Sequence, residues 1–359
     1  MSFISTRGGA CVTASQAILR GLAPDGGLYV PAVFPQMTLA DIAALTKLDY
    51  RARALTILRG YLDDFNAQEL ADAIASAYEA AKFDDAAIAP TKKLDSNTHV
   101  LELFHGPTLA FKDMALQLLP HLTTLSAKKN GENREVTILV ATSGDTGKAA
   151  LEGFRDVSGT KIIVFYPHGG VSAVQQAQMV TQEGGNVKVC AVRGNFDDTQ
   201  TGVKHIFASC DEEDLPGVRL SSANSINIGR LAPQIVYYFK AYADLVRSGR
   251  IRVGDKVHFC VPTGNFGDIL AGYFAKRMGL PVGRLICASN RNDVLTDFLS
   301  TGVYDKRRTF YKTTSPSMDI LVSSNLERLL SLLTGDDAYV SGLMKDLNEV
   351  GHYKVTDEL

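Results

Sequence analysis

Val136-Thr137-Ile138-Leu139-Val140-Ala141-Thr142-Ser143-Gly144-Asp145-Thr146-Gly147-Lys148 is the stretch whose reading decides the fold. The apolar, β-branched run Val136 to Ala141 has the length and composition of a buried strand. Small hydroxyl residues and glycines then break it, and Lys148 to Phe154 carries apolar residues at helical spacing. A strand, a glycine turn and a helix in immediate succession make half of a βαβ unit. The same succession recurs on both sides. Val100 to Phe104 reads as a strand and is followed by a turn and an apolar helix, Ala110 to Leu119. Lys161 to Tyr166 and Val187 to Val192 read as further strands. Lys256 to Val261 leads through another glycine turn into Ile269 to Met278, and Leu285 to Ala288 closes the series. Strands separated by helix-length segments predict an α/β chain with parallel sheets, in which ligands bind beyond the carboxyl ends of the strands.

The region up to Lys93 differs. Leu39 to Leu45, Ala54 to Tyr61 and Leu70 to Ala81 have helical spacing, and Pro24-Asp25-Gly26-Gly27 marks a loop. A mostly helical N-terminal unit therefore precedes the α/β part. The length of 359 residues suits two or three domains.

Composition excludes several classes of function. The 37 basic and 39 acidic residues leave a net charge of -2, without the basic excess of a nucleic-acid binder. No run approaches the roughly 18 apolar residues of a membrane span. Met1 to Val12 has no apolar core, so a secretory leader is not expected. The cysteines, Cys11, Cys190, Cys210, Cys260 and Cys287, form no CxxC pair, which favours a reducing cytoplasm over a disulfide framework. His168 and His205 have no Cys or His partner at a metal-binding spacing, so no metal is expected.

Three turns after strands carry the chemistry. The first, His105-Gly106-Pro107-Thr108-Leu109-Ala110-Phe111-Lys112-Asp113, places Lys112 in the first turn of a helix beside apolar neighbours. The helix dipole and burial would both favour a neutral, nucleophilic amine, as Schiff-base chemistry requires. A solvated surface lysine is the competing reading, and burial decides between them. The second turn, Thr142 to Lys148, offers backbone N–H groups to an anion. It is not a nucleotide P-loop, because Thr142 and Ala149 stand where that pattern needs Gly and Ser or Thr. The third, Thr263-Gly264-Asn265-Phe266-Gly267-Asp268, is another anion cradle or a tight glycine turn. One activated lysine with two cradles fits pyridoxal 5'-phosphate (PLP), which needs an amine for its aldehyde and a cradle for its phosphate. The second cradle would take a substrate carboxylate.

These residues resemble the threonine synthase family. The likeness begins at Gly26-Gly27-Leu28-Tyr29-Val30-Pro31 and includes His105 to Asp113, Thr142 to Gly147, Gly194-Asn195-Phe196-Asp197-Asp198 and Ser225-Ile226-Asn227. It continues through Thr263 to Asp268 and Ser317-Met318-Asp319-Ile320-Leu321-Val322-Ser323-Ser324-Asn325. The ordered matches span nearly the whole chain.

The resemblance implies a fold type II PLP enzyme, tryptophan-synthase-β-like, with an extra N-terminal helical domain. The expected division is 1–93 for that domain, 94–130 with 251–359 for the large PLP-binding domain, and 131–250 for a smaller α/β domain. The implied reaction converts O-phospho-L-homoserine and water to L-threonine and phosphate. Lys112 would be the Schiff-base and proton-transferring lysine. Phe111, Asp145 and the run Gly264, Asn265, Phe266, Gly267, Asp268 would hold the cofactor, Asp145 beside its phenolic oxygen. Thr142, Ser143 and Thr146 would hold the substrate carboxylate. Ser225, Asn227 and Arg230, just before a helix, are candidates for the substrate phosphate, with a helix cap and a solvated arginine as the plain alternative.

Members of this branch continue beyond the length of this chain into a segment whose Thr or Ser meets the pyridine nitrogen. No equivalent follows Asn325, and Tyr339 to Leu359 reads as a helix and a polar end. A shortened or diverged member that binds PLP without turnover is therefore the second expectation. Another fold type II enzyme, such as a hydroxyamino-acid dehydratase, is the third. A monomer or weak homodimer in the cytoplasm is expected.

Overall fold

The computed structural model describes residues 1–142, 144–194, 196–210 and 214–359. The chain opens with β1 (Phe3–Ser5), α1 (Ala14–Arg20) and β2 (Tyr29–Pro31), the two strands pairing antiparallel. The helices α2 (Leu39–Leu45), α3 (Tyr50–Leu58) and α4 (Ala67–Ala77) follow. Their starts are set by caps. The side chains of Thr38, Asp49 and Asn66 each accept a first-turn backbone N–H, which fixes where the helix can begin. Asp49 and Asn66 start α3 and α4 a few residues earlier than apolar spacing alone indicates.

The expected strand at Val100 to Phe104 is shorter and differently paired. β3 (Thr91–Lys93) and β4 (His99–Leu101) form an antiparallel hairpin, so this strand is not part of a βαβ unit. The expected helix Ala110 to Leu119 is also split, into α5 (Asp113–Leu116) and α6 (Leu119–Lys129), with Pro120 in the first turn of α6. Proline has no N–H to continue a preceding helix and favours a new first turn.

The α/β core follows as expected. β5 (Glu135–Ala141), α7 (Asp145–Phe154), β6 (Thr160–Pro167), α8 (Ala173–Val180), β7 (Val187–Val192), α9 (Phe196–Ser209) and β8 (Val218–Ser221) build one parallel sheet in the order β7-β6-β5-β8. The chain moves outward from β5 through β6 to β7 and then returns to the other side of β5. Strand order therefore reverses between β5 and β8, where a crevice opens at the carboxyl ends. α10 (Ile228–Arg247) leaves that crevice and runs through the centre of the molecule, buried nearly along its length and packed on α3, α5 and α11. β9 (Val257–Pro262), α11 (Gly267–Arg277) and β10 (Val282–Ala288) add a second parallel pair.

α12 (Val294–Thr301), β11 (Val303–Asp305), a 3₁₀ turn (Pro316–Met318), α13 (Leu326–Thr334), α14 (Asp337–Glu349) and β12 (His352–Lys354) complete the described elements. The tail ends in a strand rather than only a polar end. β12 pairs with β11, and Tyr353 stacks on Tyr304 with ring centroids 5.3 Å apart. The two ends of the chain are joined by Glu327 on α13, which accepts from Thr6 and, through both oxygens, from Arg7. Among the described residues, no helix is long and apolar enough to cross a membrane.

Candidate active site

A cleft lies where the carboxyl ends of β5, β8 and β9 meet the turn before α5. All three predicted turns contribute to it. Phe111, Lys112, Thr142, Asp145, Thr146, Ser225, Arg230 and the run Gly264 to Asp268 line one space. Ser143 lies outside the described residues.

Lys112 sits just before the short α5 rather than within the first turn of a long helix. Asp113 holds this turn by accepting from the Thr108 N–H at 2.8 Å and the Thr108 hydroxyl at 2.7 Å. Gly106 is required because a Cβ there would lie 2.5 Å from the Cβ of Asp113. Lys112 is buried at 7% exposure, and the solvated-lysine reading fails. Burial, ahead of any helix dipole, pulls its amine down to about 8; Asp145 opposes the shift and Arg230 adds to it. Nζ lies 3.6 Å from Asp145 Oδ2 and 4.8 Å from the centre of the Phe111 ring.

Asp145 is the point where three parts of the chain meet. It receives the Gln175 amide at 2.6 Å and the Ser317 hydroxyl, and faces Lys112. Gln175 can reach it only because residue 144 is glycine. A Cβ at Gly144, whose φ is +144°, would stand 2.3 Å from the Gln175 amide nitrogen. The Ser317 turn is itself held by Asp319, which accepts from Asn290, Asn292 and Thr313.

The other predicted contacts divide. The Thr142 hydroxyl is committed inside its own turn, accepting from the N–H groups of Gly144 and Gly147. What that turn presents is the Thr146 hydroxyl and the N–H groups of Asp145 and Thr146, which make no hydrogen bond to described residues. Asn227 does not reach the cleft. Its amide donates to the carbonyls of Ile18 and Ser222 while its oxygen caps α10 through the Gly229 N–H. The helix-cap reading holds for Asn227, because a short amide before a helix satisfies backbone groups most readily.

Arg230, on the first turn of α10, is buried at 5% exposure and lines the cleft. It donates to the Ala223 carbonyl at 2.8 Å and approaches the Thr146 hydroxyl at 3.5 Å. No carboxylate pairs with it among the described residues, and burial alone lowers it to about 10. An unpaired buried guanidinium facing a cleft is costly unless an anion arrives there.

The turn Gly264 to Asp268 fits a phosphate by its donors. None of its N–H groups is bonded to a described residue, and Phe266 takes a left-handed φ of 61° as α11 begins. The Asp268 side chain points elsewhere. It accepts from Tyr237 and Tyr238 at 2.6 and 2.8 Å, and burial raises its pKa. Among the described residues, the backbone N–H groups of this turn, rather than the Asp268 side chain, are free to donate to an anion. The residues present thus suit PLP: a buried amine for the aldehyde, a row of amides without partners among the described residues for its phosphate, and the buried Arg230 cation in the same lining.

Sequence reasoning missed Gln175, Asn224, Gln234 and Ser317 as cleft residues. Ser317 lies in a stretch already noted for its resemblance. Gln175 has no motif of its own and reaches Asp145 only through the fold.

The family model "Threonine synthase N terminus" matches residues 2–78 and "Pyridoxal-phosphate dependent enzyme" matches 87–342. The chain is 47% identical to the threonine synthase of Pseudomonas aeruginosa, aligned over 100% of this chain and 74% of that protein. It is 44% identical to human threonine synthase-like 1, over 96% of this chain and 48% of that longer protein. Among solved structures, PLP-bound threonine synthase from Brucella melitensis superposes with a TM-score of 0.90 at 45% identity, covering 99% of this chain and 75% of that one. Yeast threonine synthase gives 0.88 at 37% identity, covering 99% and 73%. The chain belongs to the threonine synthase family of PLP-dependent enzymes.

Proposed function

We propose that this chain is a threonine synthase that converts O-phospho-L-homoserine and water to L-threonine and phosphate in the cytoplasm. The observation that carries the reading is the single cleft that joins buried Lys112, the Gly264 to Asp268 amides and Arg230, the amides without a hydrogen bond and Arg230 without a carboxylate partner among the described residues. PLP, when bound, supplies an electron sink for charge released at the substrate's α-carbon.

The chain's own residues supply the rest. Lys112, with its amine lowered to about 8, would hold the cofactor's aldehyde and, once displaced by the substrate's amine, would be free to move protons on one face of the substrate. Gly264 to Asp268 would hold the cofactor phosphate through backbone N–H groups. Asp145 sits against Lys112, beside the reacting nitrogen, and Gln175 and Ser317 fix its two oxygens. The N–H groups of Asp145 and Thr146 take the substrate carboxylate. Arg230, with Ser225 and Thr146 close by, takes the phosphate that leaves. The burial of Lys112 and Arg230 strengthens each of these contacts by excluding water.

Borohydride reduction of the PLP-loaded chain, followed by peptide mapping, tests the assignment of the lysine. The label is expected on Lys112 and is lost in Lys112→Ala, together with absorbance near roughly 410–420 nm. A trapped cofactor on the variant would place the chemistry on another lysine.

A further inference from the structure

The turn Gly264 to Asp268 offers its amides to the cleft, but a flexible turn could equally present its carbonyls. Two side chains remove that choice. The Ser323 hydroxyl donates to the Gly264 carbonyl at 2.7 Å. The Asn265 carbonyl accepts twice from Asn325, from its N–H at 3.1 Å and its side-chain amide at 3.0 Å. A trans peptide plane carries its C=O and N–H on opposite edges. Tying the Gly264 carbonyl to Ser323 therefore turns the Asn265 N–H the other way, and tying the Asn265 carbonyl to Asn325 does the same for Phe266. Both carbonyls are pulled to the side of the Ser323 to Asn325 segment. Both amides are left facing away from it, without a hydrogen bond among the described residues, in residues that line the cleft.

The anchor is itself rigid. Asn325 is fully buried, and its side-chain oxygen accepts from Arg328, also fully buried. Arg328 donates further to the carbonyls of Tyr29, Ser225 and Ile226. The Ser323 N–H is held by the Tyr304 hydroxyl at 2.8 Å. The left-handed φ of 61° at Phe266 is a conformation that a non-glycine residue keeps only when its surroundings impose it. The two tied carbonyls immediately before it supply that constraint.

We infer that Ser323 and Asn325 are positioning residues for the cofactor phosphate: they fix the peptide planes of Gly264 and Asn265 so that the following amides form the cradle. Neither side chain needs to touch the phosphate. This inference rests on the PLP reading above and adds which residues set the strength of the phosphate contact.

The test compares two probes on the cofactor-free full chain, PLP and pyridoxal, which share the aldehyde but differ in the phosphate. Binding is measured by equilibrium dialysis for wild type, Ser323→Ala, Asn325→Ala and Ser323→Thr. In the wild type, PLP binds more tightly than pyridoxal. Each alanine variant is expected to weaken PLP at least about tenfold, as losing one charge-assisted amide contact does, while pyridoxal stays within about twofold. Ser323→Thr keeps the hydroxyl and is expected to bind PLP as the wild type does. Asn325→Ala also strips a partner from Arg328, so Ser323→Ala, which leaves that network intact, decides the matter if the former does not fold. Equal weakening of both probes would overturn the inference, because the two residues would then only hold the fold. Unchanged PLP binding would also overturn it. A wild type that does not distinguish PLP from pyridoxal would remove the cradle and the inference together, whereas Lys112 labelling would still report on the lysine.

Discussion

Replacing Lys112 with methionine should make the cofactor-free protein harder to unfold at neutral pH. Methionine has a similar shape and no charge, so the swap isolates the cost of holding an ammonium group in the cleft. Burial lowers the Lys112 pKa from 10.5 to about 8. A tenfold change in a proton-binding constant is worth about 1.36 kcal/mol, so the charged amine destabilises the fold by about 3 kcal/mol at pH 7.5. The folded pKa is depressed, so the folded state releases its proton first. Between about pH 8 and 10.5 the unfolded chain binds the extra proton, and wild-type stability rises with pH across that window. The advantage of Lys112→Met should therefore shrink to about 1 kcal/mol at pH 10. Urea unfolding of both proteins without PLP, at the two pH values, reads the difference, since the titrating groups that do not interact with Lys112 cancel and only its neighbours Asp145 and Arg230 add to it. A Lys112→Met protein that is no more stable than wild type at pH 7.5 would refute the argument, because the ammonium would then be well solvated or fully compensated by Asp145.

Other predictions follow from the same geometry. On the proposed role of Arg230 at the substrate phosphate, Arg230→Ala should raise KM for O-phospho-L-homoserine by about 30-fold or more while leaving PLP affinity unchanged. Equal loss of both would make Arg230 a structural support of the Ala223 carbonyl. Glu327→Ala should destabilise the fold by about 2–3 kcal/mol, measured by urea midpoint, because it strands the Arg7 guanidinium and the buried Thr6 hydroxyl. A change below about 0.5 kcal/mol would show that the N-terminal strands are held by other contacts.

Much of the α/β order was legible because it is local. An apolar β-branched run, a glycine turn and a helix are adjacent in sequence for β5, the 142–147 turn and α7, and again for β9, the 263–267 turn and α11. The elements that were misread depend on partners far along the chain. β4 looks like a parallel strand until β3 folds back on it, and β12 exists only because β11 offers an edge some fifty residues earlier. Pro120 is a readable stop signal that apolar spacing through Leu119 masked. In the site, Lys112 was identifiable but its burial was not, since burial comes from the cleft walls rather than from Phe111 and Ala110 alone. Gln175 and Ser317 reach Asp145 from 30 and 172 residues away, and no local pattern encodes those contacts. Asn227 shows the converse: its position before a helix was right, and the backbone claimed the side chain.

The measurement that tests the central claim most directly follows phosphate and threonine together from O-phospho-L-homoserine, using the purified chain loaded with PLP. The account predicts that the two products form in equal amounts and that both are lost in Lys112→Ala. A chain that carries PLP on Lys112 yet releases neither product would contradict it, leaving a protein that holds the cofactor without performing the reaction.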